Sequence, residues 1–95
     1  MLRLPDGGVR YPRFGETQFA RIAPVRQFQV VERSLREIEV ALVVARELDV
    51  DEEGALRALV TKNLGAVFDI RFSYHDEIER LPSGKYEDFR SEVAE

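Results

Sequence analysis

The sequence predicts an α+β fold, a two-layer sandwich with a three-stranded core sheet, two main helices on one face, an N-terminal β-arm and a short C-terminal helix. Three observations predict it. Strand-like two-residue alternation recurs in Gln27-Phe28-Gln29-Val30, in Ile38, Val40, Leu42 and Val44, and in Phe68, Ile70, Phe72 and Tyr74. Between the second and third of these runs, Leu56, Leu59, Val60 and Leu64 fall on one side of a helix. A shorter helical period, Phe19 with Ile22, precedes the first strand and stops at Pro24.

Taken in order, Pro5-Asp6-Gly7-Gly8 is turn chemistry between Leu2-Arg3-Leu4 and Val9-Arg10-Tyr11, which predicts a hairpin arm over 2–12 that serves as an adaptor more than a core element. A helix is expected over 15–22. The next two runs, 25–34 and 38–44, are joined by the short Ser34-Leu35-Arg36 link and should pair antiparallel. Phe28, Val30, Ile38, Val40 and Leu42 then line the buried face, with Glu37 and Glu39 toward solvent. Asp51 is the expected N-cap of the main helix, Glu52 and Glu53 favour its positive end, and Lys62 suits its last turn. Gly65 stands where a left-handed C-cap is wanted. Residues 68–74 supply the third strand, and Tyr86, Phe89 and Val93 have the spacing of a short amphipathic helix. This element order fits a small ferredoxin-like sandwich formed by residues 1–95 as one domain.

The 95 residues carry 14 basic and 18 acidic side chains, a net charge of −4, which argues against a nucleic-acid binder with a basic face. A chain without cysteine and with one histidine has no thiolate or zinc cluster, and no metal site is expected. Neither a leader-like apolar segment nor a run of membrane-spanning length occurs, so a cytoplasmic protein without membrane contact is expected.

Chemistry concentrates in Pro82-Ser83-Gly84-Lys85, which follows the apolar-acidic run Asp76-Glu77-Ile78-Glu79-Arg80-Leu81. Pro82 restricts φ, Ser83 can close a local turn and Gly84 admits positive φ, so Lys85 projects from a tight bend. A lysine there is a point cation suited to neutralising phosphate or carboxylate, although the same four residues also make an ordinary surface turn. It is not a nucleotide phosphate loop, since that motif needs glycine where Glu79 stands and Ser or Thr in place of Tyr86. His75 beside Asp76 is a poor catalytic pair, because adjacent strand residues point apart. Glu52 and Glu53 suit helix capping better than metal binding, and Asp76, Glu77 and Glu79 lack the convergent spacing of a hard-cation loop. Phe28, Phe68, Phe72 and Tyr74 have the spacing of core residues, not of a base-stacking platform, while Gln27 and Gln29 face away from that core, toward solvent or a partner.

The whole pattern, hairpin, capped helix, alternating strand and then residues 76–85, resembles the C-terminal domain of adenylate-forming enzymes: acyl- and aryl-CoA ligases, nonribosomal adenylation domains and luciferases. Val25-Arg26-Gln27-Phe28-Gln29-Val30-Val31 and Pro82-Ser83-Gly84-Lys85-Tyr86 are most similar to the phenylacetate-CoA ligase and CapK-like branch. The resemblance implies a reaction in which a carboxylic acid attacks the α-phosphate of magnesium-bound ATP, releasing pyrophosphate, before a thiol such as coenzyme A displaces AMP. It implies that Lys85 is the catalytic lysine, presented with Ser83 and Gly84 to the nucleotide, and that the domain rotates on a large N-terminal adenylation domain between the two steps. That larger domain is absent from this sequence, which would not be a competent ligase alone. Tyr86-Glu87-Asp88 also departs from the basic residues that follow the lysine in many relatives. The alternative is a free-standing ferredoxin-like module that binds a protein partner without catalysis.

Overall fold

The computed structural model describes residues 2–4, 6–10, 12, 14, 16–78 and 89–92. Its elements run β1 (Leu2–Arg3), β2 (Val9–Arg10), α1 (Glu16–Ile22), β3 (Val25–Glu32), β4 (Glu37–Val44), α2 (Val50–Leu64), β5 (Asp69–Tyr74) and β6 (Phe89–Ser91). The arm is a two-stranded antiparallel hairpin, and the main sheet has the order β5-β4-β3-β6. This is the expected small α+β architecture, compatible with a ferredoxin-like sandwich, with a mixed sheet of four strands where three were expected.

Local chemistry closes each turn. In the arm, the Asp6 carboxylate accepts the Gly8 N–H at 2.8 Å, and Gly7 takes φ +93°, where a Cβ would be strained. Between β3 and β4, the Ser34 hydroxyl accepts N–H bonds from Arg36 and Glu37, and the strands pair antiparallel from Val25 opposite Val44 to Glu32 opposite Ile38. Strand β5 then adds parallel to β4, as the intervening helix permits.

The N-cap of α2 is Asp49, not Asp51. Asp49 accepts the Glu52 N–H at 2.8 Å while Glu52 accepts the Asp49 N–H at 3.1 Å. This reciprocal box satisfies two N–H donors together, which an acid two residues further on would not do. Arg46 also clamps Glu52 with two 2.8 Å bonds; with the Asp49 N–H, it holds that carboxyl down to about 2. The other end follows expectation: Gly65 adopts φ 77° and donates its N–H to the Thr61 carbonyl.

Leu56, Val60 and Leu64 of α2 and Phe19 of α1 bury themselves against Phe28, Val30, Ile38, Val40 and Leu42, so both helices share one face of the sheet. Phe19 stacks on Phe28 with ring centroids 4.1 Å apart, and Phe14 meets both edge-on. Three expectations need correction. The arm is part of the core: Leu2 is fully buried, and Arg10 lies against Gly65. Tyr74 is 46% exposed at the end of β5, because its hydroxyl reaches out to the Glu53 carboxylate. The short C-terminal helix is replaced, over Phe89–Ser91, by β6, which pairs parallel to β3. The spacing of Tyr86, Phe89 and Val93 is helical, but so short a helix is marginal, and the open edge of β3 offers backbone partners instead. Tyr86 and Val93 lie outside the described residues.

Candidate functional site

The face of the sheet away from the helices carries the other phase of every strand. Gln27, Gln29 and Val31 of β3 lie opposite Val43, Ala41 and Glu39 of β4, with Ser73 beside Ala41, Arg71 beside Glu39 and Arg90 beside Val31. Val31 and Ala41 are buried and form an apolar floor. Above it is a shallow depression of about 240 Å³, rimmed by Arg33, Glu39, His75, Glu77, Ile78 and Arg90.

Polar bonds on this face run from one edge of the sheet to the other. Arg33, just past β3, donates to Glu92 at 2.6 Å and to Glu39 at 2.6 and 2.9 Å. Glu39 accepts the Ser73 hydroxyl on its second oxygen at 2.7 Å, and Ser73 Oγ lies 2.9 Å from His75 Nε2. Arg90 adds a 3.3 Å contact to Glu92. The Ser73 bond, assisted by Arg33, holds the Glu39 carboxyl below the usual carboxylate range, while partial burial pulls the other way. Glu92 and Glu39 in turn raise the Arg33 guanidinium.

Because the Ser73 proton is directed to Glu39, the His75 nitrogen serves Ser73 as a donor. The pair is therefore not arranged as nucleophile and base, which would require the serine proton to point at the imidazole. What the network does is place a charged rim around an apolar floor, an arrangement of the general kind also found at protein–protein interfaces. The sequence carries a signal for it, since Ser73 and His75 are two apart and His75 continues the line of β5 through its N–H bond to the Leu42 carbonyl.

Lys85, Ser83 and Gly84 lie outside the described residues. The residues flanking their segment are described, and both belong to the β3 neighbourhood. Ile78 donates its N–H to the Gln27 side chain at 3.1 Å, and Phe89 opens β6 opposite Val30. Gln27, an undecided surface residue in the sequence, thus anchors the entry to the lysine segment. Of the candidate metal-ligating carboxylates, Glu52 closes the helix cap and Glu53 accepts from the Tyr74 hydroxyl, Asp76 and Glu77 lie just past β5, and Glu79 lies outside the described residues. Among the described residues no group of His, Asp or Glu is placed to hold a metal ion, and no helix is long and apolar enough to cross a membrane. Compared with known proteins, residues 12–91 match the family described as the CapK C-terminal domain, and no curated protein and no solved structure matches the chain.

Proposed function

The chain belongs to the CapK C-terminal domain family, and from that premise we propose that it is the lid domain of an ATP-dependent acyl- or aryl-CoA ligase of the phenylacetate-CoA ligase kind. In this reading the domain works in the cytoplasm on a large adenylation domain, in the same or another chain. Magnesium-bound ATP, a carboxylic acid and coenzyme A are the substrates of the complete enzyme. Lys85 supplies a positive charge where carboxylate and phosphate oxygens meet during adenylation, and Ser83 and Gly84 shape the bend that presents it.

The observation that carries the reading is the family match, which spans the lysine segment together with Gln27 and β6 that flank it. A cation that must act at one atom benefits from such anchors, since each degree of freedom removed beforehand is one not lost in the reaction. The rigid, charged rim of the helix-free face supports the same reading, because a lid needs a surface that meets a larger body. That surface also suits the free-standing interaction module, and the lysine distinguishes the two.

The test supplies the large domain and measures carboxylate-dependent ATP–pyrophosphate exchange with Lys85→Ala. Loss of one charge-stabilising contact is expected to lower exchange by about 100-fold or more. Exchange equal to that of the unaltered chain would remove Lys85 from the reaction and favour the interaction module.

A further inference from the structure

Glu32 occupies a position that its neighbours on β4 and β5 give to apolar side chains. It stands on the helix-facing side of the sheet, in a row with Ser91 of β6, Ile38 of β4 and Ile70 of β5, and it is fully buried. Its Oε1 accepts two hydrogen bonds, from the Arg3 backbone N–H at 3.0 Å and from the Ser91 hydroxyl at 2.7 Å. Its Oε2, equally buried, accepts none among the described residues. A carboxyl oxygen out of water without a donor is costly, and well-packed apolar side chains can replace buried charged groups at little or no loss of stability. Core stability alone therefore does not explain an acid at this position.

What the acid does is join two segments distant in sequence. Strand β6 spans three residues and sits at the edge of the sheet, so few ladder bonds determine its alignment. A slip of one residue along β3 would turn Ser91 to the opposite face and carry it away from Glu32. The Glu92 N–H to Glu32 carbonyl bond of 2.8 Å continues the same register. On the other side, the Arg3 bond fastens the arm over this junction. Lys85 precedes Phe89, the first residue of β6, by four positions.

We propose that Glu32 is a positioning residue, a register lock whose carboxyl ties the arm to β6 and thereby determines where the lysine segment rejoins the sheet. The proposal rests on the lid-domain reading for its catalytic consequence, whereas the lock itself is a property of this chain alone. The unmatched Oε2 is the cost of having Oε1 reach both donors.

Two variants test it. Glu32→Leu removes the acceptor, and Glu32→Gln retains an amide oxygen able to receive both bonds. In the 95-residue chain, amide exchange at Arg3 and across β6 is expected to quicken about ten-fold in Glu32→Leu, as for a lost hydrogen bond, with β4 unchanged and Glu32→Gln close to the original. Should Glu32→Leu fail to fold, Ser91→Ala should quicken β6 while leaving Arg3 protected. With the large domain supplied, Glu32→Leu should slow ATP–pyrophosphate exchange about ten-fold, Glu32→Gln should restore it, and thioester formation from preformed acyl-adenylate should be unaffected. Unaltered amide exchange in Glu32→Leu or Ser91→Ala would overturn the lock, and equal losses in both half-reactions would overturn its catalytic consequence. If instead Lys85→Ala leaves pyrophosphate exchange intact, the lid reading fails, and the amide data judge the lock by themselves.

Discussion

Replacing Ser73 by alanine tests whether the network on the helix-free face is held by charge. In the folded protein the Glu39 carboxyl lies below its ordinary 4.5, first because Ser73 donates to it and next because Arg33 does. A group lowered in this way adds stability above its unfolded value, and that stability is lost as pH falls through the folded value. Hydrogen bonds to charged groups contribute about 1.5–3 kcal/mol, and with the Glu39 side chain 26% exposed, the lower end, about 1.5 kcal/mol, is appropriate here. Once Glu39 is protonated, the same bond is neutral and worth about half as much. Ser73→Ala should therefore cost about 1.5 kcal/mol in urea unfolding near neutral pH and roughly half of that once the pH has fallen below the folded Glu39 value, where the carboxyl is protonated. The Glu39 titration followed by NMR should move up in the same variant. A stability difference that is equal at both pH values, with an unmoved Glu39 midpoint, would refute the reasoning and leave Ser73 as simple packing.

Two further substitutions probe the scaffold. Gly65→Ala places a Cβ at φ 77° and against the Arg10 guanidinium, so it should lose roughly 1–2 kcal/mol for the left-handed backbone and loosen the arm, seen as a Tm lower by about 4–8 °C per kcal/mol and faster amide exchange at Arg10. Phe19→Ala removes one ring of the fully buried Phe19–Phe28 stack and should lose about 3–5 kcal/mol, a large share of the roughly 5–14 kcal/mol expected for a domain of this size, whereas Phe19→Leu should retain most of it in urea unfolding.

Much of the fold was legible because it rests on local periodicity. The alternation in 27–30, 38–44 and 68–74 and the helix ending at Gly65 became strands and a helix near those positions. Where reading failed, two nearby residues competed or a distant partner decided. Asp49 prevailed over Asp51 because only Asp49 has Glu52 at the spacing of a reciprocal box. Phe89–Ser91 became a strand because β3 had an edge to fill, a fact about residues some 60 positions earlier. Of the candidate site, the lysine bend is an expectation from sequence that lies outside the described residues, while the Gln27 anchor and the chain of bonds from Glu92 to His75 were not legible, since they join four strands whose alignment no single stretch encodes.

The sequence by itself determined the types of the elements from α1 to β5, the hairpin of β3 and β4 and most of the helix-facing core, because each depends on side-chain spacing or turn chemistry within a few residues. The tertiary structure alone decided that Leu2 is core, that β6 completes the sheet, and that Glu32, an acid in the apolar phase of its strand, is covered on all sides. Burial and edge pairing depend on what arrives from elsewhere in the chain, and solvent exclusion turns an ordinary glutamate into the link between the first and last strands.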